Sequence, residues 1–295
     1  MTFDAVETIG GKGPRPDQFR QALRAVGVDG SGRIYVVGDR EVKVFSPVRE
    51  GGRFERRWPT AMAGRSIAIG TAGQVYVGET GQIEIFDAAG KPRRRLSDKG
   101  RLGRVTAIAA SGDQLLVADA SHRLIRRYEM AGTWLGDIGA GNNTHGFLIP
   151  NGRLDFCTGA EGVVHAVNPS KHRVERYGRD GTLIGHFGRF GPRVADFPGC
   201  CNPINIARSA SGVIVVAEKA PPRIKAYNDQ GLLLAAGGTD RLDPNCRSLD
   251  LAIDRQGTLY VTDSVRLRVV VFRCQALRGP AGGRAVTADQ EAVRS

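Results

Sequence analysis

Short apolar segments alternate with polar turns along the chain, and residues 249–272 show the repeating pattern most clearly. An apolar strand at Leu251–Ile253 is followed by a tight turn that ends at Gly257, and a second strand covers 259–261. A third, β-branched strand at 268–272 ends on an aromatic residue. None of these runs has a sustained helical period, and this absence is typical of β-strands. Such a unit cannot bury both of its faces alone, so we expect several copies.

Six copies of this unit follow one another. The turn glycine recurs at intervals of 39 to 50 residues, at Gly32, Gly73, Gly112, Gly162, Gly212 and Gly257. The second strand ends on a polar residue in every copy, namely Asp39, Glu79, Asp119, Asn168, Glu218 and Asp263. The third strand ends on an aromatic residue in every copy, namely Phe45, Phe86, Tyr128, Tyr177, Tyr227 and Phe272. The polar set resembles a catalytic set, but its recurrence favours hydrogen bonding in turns.

Six units of four strands predict an all-β fold, a six-bladed β-propeller of four-stranded blades. Five copies have a fourth strand, whereas the sixth runs into Cys274. Residues 3–10 resemble 134–139, so we expect the N-terminal strand to complete the last blade, close the ring and leave no free sheet edge. The propeller is predicted over 1–275, with blades at about 24–59, 65–100, 105–139, 154–188, 204–238 and 249–273 plus 3–10, and with a disordered tail at 276–295.

The six repeats over residues 3–274 resemble the six-bladed β-propellers of the NHL-repeat family. The stretch 197–203, Phe-Pro-Gly-Cys-Cys-Asn-Pro, together with 217–227 and 167–175, is similar to a bacterial NHL-repeat subgroup that carries Gly-Cys-Cys-Asn-Pro before the fifth blade. This resemblance implies the propeller fold and marks the loop, but it implies no reaction. Other NHL-type propellers are lyases or lactonases with a metal in the channel, so the resemblance also implies channel chemistry as an alternative.

Positive charge is in excess and unevenly distributed. The chain has 42 Lys and Arg against 30 Asp and Glu, a net charge of +12. One concentration is predicted on the outer rim of the first two blades, at Arg53, Arg56, Arg57, Lys91, Arg93, Arg94, Arg95, Lys99, Arg101 and Arg104. The excess is typical of an arginine-rich soluble protein or, alternatively, of a protein with an anionic partner such as RNA. Aromatic residues make up only 6% of the chain and none interleaves with this run, which argues against base stacking.

The sequence also bears on location and assembly. No apolar run approaches the roughly 18 residues of a membrane span, and the first residues show no signal-peptide pattern. We therefore expect a monomer without a membrane span, cytoplasmic as the sequence stands and exported if the true start lies upstream. Five cysteines in 295 residues do not predict a disulfide scaffold.

The cysteines provide the first candidate site. Cys201 and Cys246 each lie four residues before the polar residue at the start of an inner strand, in blades five and six, and Cys200 precedes Cys201. We expect all three near the channel mouth. Three interpretations remain open: structural thiols that include a Cys201–Cys246 disulfide, a thiolate-bound metal as cofactor with His145 as a fourth ligand, and redox chemistry at the adjacent pair.

Two further candidate sites lie on the same predicted face. Asp155, Asn205 and Asp250 begin the inner strands of blades four to six and could together supply oxygen ligands for a hard cation. The connections 140–153 and 189–203 are extended, and long loops on one face of a repeat fold indicate a binding face. The candidate partner-binding residues on this face are Asn142, Asn143, His145, Lys219 and Arg223.

Three functions follow from these observations. The first is a module that binds a ligand or a protein, or acts as a scaffold, with a metal or redox-active cysteine site on the loop face. The second is a metal-dependent lyase or hydrolase whose site lies at the central channel. The third is an RNA-binding propeller that uses the basic rim. The expected partner is accordingly an unidentified protein, a small molecule or RNA.

Overall fold

The computed structural model describes residues 2–219, 221–238 and 240–278. Its 24 β-strands form six four-stranded antiparallel sheets, which confirms the predicted all-β, six-bladed β-propeller. Helical structure in these ranges is limited to short 3₁₀ turns. None of the helical segments among these residues has the length and apolar character needed to cross a membrane.

The first three blades each consist of four consecutive strands. Blade one contains β2 (Leu23–Val28), β3 (Ile34–Gly38), β4 (Glu41–Phe45) and β5 (Phe54–Pro59). Blade two contains β6 (Ser66–Ile69), β7 (Val75–Gly78), β8 (Gln82–Phe86) and β9 (Pro92–Ser97). Blade three contains β10 (Val105–Ser111), β11 (Gln114–Asp119), β12 (Leu124–Glu129) and β13 (Trp134–Ile138).

Blades four and five repeat this order, whereas blade six takes its fourth strand from the N-terminus. Blade four contains β14 (Phe156–Thr158), β15 (Val164–Asn168), β16 (Arg173–Tyr177) and β17 (Leu183–Phe187). Blade five contains β18 (Asn205–Arg208), β19 (Ile214–Glu218), β20 (Arg223–Tyr227) and β21 (Leu233–Gly237). Blade six contains β22 (Leu251–Ile253), β23 (Thr258–Asp263), β24 (Arg268–Arg273) and β1 (Asp4–Gly10). The antiparallel pairing of β1 with β24 confirms the predicted ring closure.

The turn glycines set the period of the repeat because each turn between the first and second strands needs a left-handed residue. All six have φ between +61° and +91°, a region that glycine adopts without a steric penalty. This requirement explains why glycine is the most regular feature of the repeat.

The core lies between the blades. Along β3, Ile34 and Val36 pack toward blade six, whereas Tyr35 and Val37 pack toward blade two. This alternation follows from the period of two along a strand. Each of the six interfaces between neighbouring blades is filled by one such cluster. The second strand of each blade is therefore buried on both faces.

The first strand of each blade contacts the first strands of both neighbouring blades, so these six strands surround the central channel. The connections that lead into them lie on one face, together with the turns between second and third strands. We call this face the top face. The residues at the start of each first strand therefore line the channel mouth.

The polar residues at the ends of the second strands hold the top-face connections. Asp39 accepts hydrogen bonds from the backbone N–H groups of residues 20–22. Asp119 accepts one from Gly103, and Asp263 accepts one from Asp243. This agrees with the hydrogen-bonding role that their recurrence predicts.

The C-terminal end of the propeller differs from the prediction. Gln275–Leu277 forms a 3₁₀ turn, and Leu277 is buried and accepts a hydrogen bond from the Ser211 hydroxyl. The tail was expected from residue 276, but 276 and 277 belong to this turn because Leu277 packs on the core between blades five and six. The remainder of the predicted tail, 279–295, lies outside the described residues.

Candidate functional site

Four arginines occupy corresponding positions at the channel mouth, one in each of the first four blades. Arg24, Arg65 and Arg104 lie eight residues before the turn glycine of their blade, and Arg153 lies nine residues before. Blades five and six have Pro203 and Ser248 in the corresponding place. The repeat therefore directs four guanidinium groups toward one side of the channel.

These four arginines line one cavity of about 350 Å³. Its polar lining also includes Asn151, Ser248 and Ser264. A second cavity, of about 370 Å³, shares Arg24 and neighbouring backbone with the first and extends to Arg20 and Arg40. Volumes in this range are typical of small-molecule sites.

Three of the four arginines have no acidic partner. In the described part of the chain, no carboxylate oxygen lies within 4 Å of a guanidinium nitrogen of Arg24, Arg65 or Arg104. Arg65 Nε donates to Thr80 Oγ1 at 3.2 Å. Burial, followed by the positive charges of Arg24 and Arg104, lowers the pKa of Arg65. The cavity is thus a region of positive potential.

Arg153 differs because it pairs with Asp250. Asp250, Asn205 and Asp155 begin or directly precede the first strands of blades six, five and four, and we call these three residues one layer of the channel. One Asp250 oxygen accepts hydrogen bonds from Arg153 Nη2 and from Asn205 Nδ2, the latter at 3.2 Å. The other oxygen accepts from the Val26 N–H at 2.8 Å, which connects blade six to blade one. Asp250 of blade six is therefore connected to blades one, four and five.

Asp155 belongs to the same layer and is 5% exposed. One of its oxygens accepts a hydrogen bond from the Ile206 N–H of blade five at 2.9 Å. Burial, followed by the negative charge of Asp250, raises the pKa of Asp155 to about 8. The pKa of Asp250 is also raised, chiefly by burial. This layer therefore holds a carboxyl group that releases its proton at a higher pH than an ordinary aspartate.

The structure brings the three residues of the predicted hard-cation site into one layer, but carboxylate oxygens of Asp155 and Asp250 already accept hydrogen bonds from other partners. The contacts of Asp155 and Asp250 are backbone N–H groups, Arg153 and Asn205, as described above. Asn205 Oδ1 is buried without a hydrogen-bond partner among the described residues. Within 2–219, 221–238 and 240–278, no group of three or more His, Cys, Asp or Glu side chains is placed to hold a metal ion.

The cysteines of the predicted thiolate site separate into a pair and a single residue. Cys200 Sγ and Cys201 Sγ lie 3.0 Å apart. Cys246 is buried, and its sulfur contacts the Ser248 carbonyl oxygen at 3.4 Å and Ser264 Oγ at 3.3 Å. The three sulfurs do not form a metal-holding group, because Cys246 points to its own blade. All five cysteines are free thiols, so the Cys201–Cys246 disulfide is not formed.

Four of the predicted partner-binding residues lie in top-face loops and Arg223 begins β20, and all five are outside the two cavities. Asn142 Oδ1 accepts hydrogen bonds from Thr144 and from the Gly146 N–H, which fixes the loop 140–153. His145 in the same loop is exposed. Asn143 Oδ1 accepts from Lys171, the Lys219 N–H donates to Asn202, and Arg223 donates to Glu218. Their role in binding a partner stays a prediction.

Half of the ten basic residues predicted on the rim pair with acidic residues. Five of its arginines lie within 4 Å of a carboxylate: Arg56, Arg57, Arg93, Arg95 and Arg101. Arg104, which the sequence places on the rim, instead lines the channel mouth because it stands directly before β10. RNA binding by the rim therefore stays a prediction.

Sequence reasoning missed the arginine cluster. The signal is present, because Arg24, Arg65, Arg104 and Arg153 keep an almost constant offset from the turn glycine. When its blade is considered alone, each of these residues nevertheless looks like an ordinary polar residue beside the start of a strand. Only the superposition of the four repeats shows that they meet.

Comparison with known proteins establishes the fold. No family model matches the chain, and no curated protein matches its sequence. A solved structure of streptogramin B lyase superposes with a TM-score of 0.59 at 10% identity, covering 85% of this chain and 93% of that chain. The WD40 β-propeller domain of Doa1 superposes with a TM-score of 0.62 at 12% identity, covering 94% of this chain and 99% of that chain. The chain belongs to the class of six-bladed β-propellers with four-stranded blades.

Proposed function

We propose that this protein is a binding module, a propeller of the NHL-repeat type, that holds a small ligand bearing a phosphate or carboxylate group at its channel mouth. The observation that carries the proposal is the convergence of Arg24, Arg65 and Arg104 on one cavity without acidic partners in the described chain. The repeat period and the six four-stranded blades support the NHL-type assignment.

Electrostatics favours an anion in this cavity. The three arginines repel one another: after burial, the positive charges of Arg24 and Arg104 are the further causes of the lowered pKa of Arg65. A bound anion would remove this repulsion and accept charge-assisted hydrogen bonds from the planar guanidinium groups, whose fork matches phosphate and carboxylate oxygens. Asn151, Ser248 and Ser264 add neutral polar groups that can orient the rest of a ligand.

The test is isothermal titration calorimetry with inorganic phosphate, sulfate and citrate at constant ionic strength. We expect at least one of these anions to bind, and Arg65→Gln to weaken its binding by roughly tenfold or more, since a hydrogen bond to a charged group contributes about 1.5–3 kcal/mol. Arg65→Lys, which keeps the charge but loses the fork, should have an intermediate affinity.

Arg93→Gln is the matched control. Arg93 is an exposed arginine on β9 that pairs with Asp87 at 2.8 Å, far along the blade from the channel mouth. Its replacement should leave the affinity unchanged. Equal weakening by Arg65→Gln and Arg93→Gln would indicate a general charge effect, and binding of none of the three anions would contradict the proposal.

A second candidate function, a lyase or hydrolase acting in the channel, is supported by Asp155. Its raised pKa makes it a proton donor or acceptor near neutral pH, and it lies two residues beyond Arg153, directly before β14. This candidate predicts turnover of p-nitrophenyl phosphate or p-nitrophenyl acetate, with or without added Mg²⁺. Asp155→Asn should abolish that turnover while phosphate affinity persists; absence of turnover by the unaltered protein would argue against it.

A further inference from the structure

Two adjacent thiols stand on the top face in the loop before blade five. Cys200 is exposed and Cys201 is 6% exposed. Their sulfurs are 3.0 Å apart. One thiol is thus accessible to solvent while the other contacts it from inside the loop.

The first part of this loop is anchored to blade five. Lys225 Nζ donates to the Asp196 carbonyl oxygen at 2.5 Å, and the Tyr227 hydroxyl donates to the Ala195 carbonyl oxygen at 2.9 Å. Phe197 is fully buried, with Lys225 Nζ 5.0 Å from the centre of its ring. The segment that precedes the two cysteines is therefore held in place by blade five.

The residue after the thiols is anchored as well. Asn202 Nδ2 donates to the carbonyl oxygens of Pro198 and Lys219, at 2.8 and 3.2 Å. Asn202 Oδ1 accepts from the Lys219 N–H at 2.9 Å. The two cysteines are thus held between fixed points, and this keeps their sulfurs together.

We propose that Cys200 and Cys201 form a thiol–disulfide exchange site that reduces low-molecular-weight disulfides, with Cys200 as the attacking thiol and Cys201 as the resolving thiol. The difference in exposure assigns the roles, because only Cys200 can meet an external disulfide. This site is separate from the arginine cavity, so the proposal does not depend on the proposed function.

The exchange reaction needs no oxidant or reductant other than the external disulfide and the two cysteines. The Cys200 thiolate attacks one sulfur of the external disulfide, whose S–S bond breaks and releases one thiolate that takes a proton from water. Cys201 then loses its proton to water and attacks Cys200 Sγ, which breaks the mixed disulfide and releases the second thiolate. The products are one Cys200–Cys201 disulfide and two small-molecule thiols.

The electrostatics of the pair agrees with this order. The hydrogen bond from Cys201 lowers the pKa of Cys200, and the positive charge of Lys219 acts in the same direction. Burial, followed by the hydrogen bond to Cys200, raises the pKa of Cys201. The exposed sulfur is therefore the one that reaches the thiolate state first, and the thiolate is the nucleophile.

The product disulfide should be easy to reduce. Consecutive Cα atoms are about 3.8 Å apart, which is shorter than the roughly 4.4–6.8 Å found across ordinary disulfides, and such deviations make a disulfide more reducible. The site can therefore return to the dithiol form with an ordinary thiol reductant. A disulfide that is easily reduced belongs to a weakly reducing dithiol, so the exchange is reversible and an excess of the small-molecule disulfide is needed to oxidise the pair.

The other three cysteines are poor competitors. Cys246 and Cys274 are buried, and Cys157 is half-buried. Burial raises the pKa of both Cys157 and Cys274. Reaction with a disulfide should therefore begin at Cys200.

Incubation of the full chain with glutathione disulfide, followed by intact-mass spectrometry, tests the proposal. We expect the unaltered protein to lose two hydrogen atoms without retaining glutathione, and dithiothreitol to reverse this change. Cys201→Ser should accumulate a glutathione mixed disulfide on Cys200, because the resolving thiol is absent. Cys200→Ser should react at least roughly tenfold more slowly, and Cys157→Ser, the control, should behave like the unaltered protein.

Two outcomes would overturn the proposal. One is an unchanged reaction rate in Cys200→Ser, and the other is a stable mixed disulfide on the unaltered protein. Circular dichroism and a thermal unfolding curve for each variant separate loss of reactivity from loss of folding. A Cys200→Ser protein that is folded and unreactive supports the assignment, since Cys200 is exposed and its replacement leaves the core unchanged.

Discussion

The buried carboxyl of Asp155 should make the stability of the propeller depend on pH in a way that one substitution removes. Its ordinary pKa of 3.8 is raised to about 8 in the folded protein by burial and by the charge of Asp250. Between these values the unfolded chain has released the proton while the folded protein keeps it. The free energy of unfolding must therefore decrease as the pH rises, and the decrease ends above the folded pKa.

The size of this effect follows from proton linkage. One proton of difference changes the free energy of unfolding by about 1.4 kcal/mol per pH unit, or up to roughly 4 kcal/mol between pH 5 and pH 8. Asp155→Asn cannot ionise, and its amide oxygen can still accept the hydrogen bond from the Ile206 N–H. The variant should be more stable than the unaltered protein at pH 8, and this advantage should shrink toward pH 5.

Urea unfolding at pH 5, 6, 7, 8 and 9, followed by circular dichroism, measures this difference. All other titrating groups are common to both proteins, so the difference between the two curves reports Asp155 together with its interaction with Asp250. Asp113→Asn serves as the control because the Asp113 side chain is 75% exposed, and its replacement should change the pH dependence little. Parallel stability curves for Asp155→Asn and the unaltered protein from pH 5 to pH 8 would refute the reasoning.

Three further substitutions test how the top face is held. Phe197→Ala removes a fully buried ring, so it should destabilise the protein by roughly 3–5 kcal/mol in urea unfolding and accelerate modification of Cys201 by a thiol reagent. Lys225→Met removes the Nζ that lies 2.7 Å from Glu218, while Arg223 still pairs with that carboxylate. We expect a loss of about 1–3 kcal/mol in the same assay, and a smaller loss when Glu218→Gln is added. Asp39→Ala removes the acceptor of three backbone N–H groups at a residue with φ of +50°, which should cost about 1–3 kcal/mol by thermal unfolding. Asp39→Asn should retain most of the stability, since asparagine tolerates positive φ and keeps one acceptor oxygen. Equal stability of the alanine and asparagine variants would contradict this account.

The sequence was sufficient for the fold because the features that define a blade are local. A turn with positive φ favours glycine, so Gly32 and its five counterparts recur at a spacing that can be recognised in the sequence. The alternation along strands such as β3 follows from the two buried faces of each blade. The closing strand was also predictable, because residues 3–10 carry the pattern of a fourth strand that the last repeat lacks.

The site was less predictable because it depends on which side chains from different blades converge. Cys201 and Cys246 have equivalent sequence positions, yet Cys246 contacts Ser248 and Ser264 of its own blade. Arg104 looked like one member of a basic run, although it stands one residue before β10 and lines the channel mouth. A regular repeat fixes where a residue stands along its blade, but the direction of a side chain also depends on the partners that neighbouring blades offer.

The closure of the ring has a consequence for how the protein is made. Asp4 pairs with Arg273, so β1, which is translated before the other strands of the propeller, pairs with β24, which is translated after them. The first-made strand must therefore wait, without its native partner, until almost the whole propeller has been translated. A nascent chain that ends before blade six lacks both the core cluster between blades five and six and the cluster between blades six and one. Closure of the ring thus requires the propeller strand that was translated first, and translation pauses ahead of β24 would leave two apolar blade faces exposed to other nascent chains.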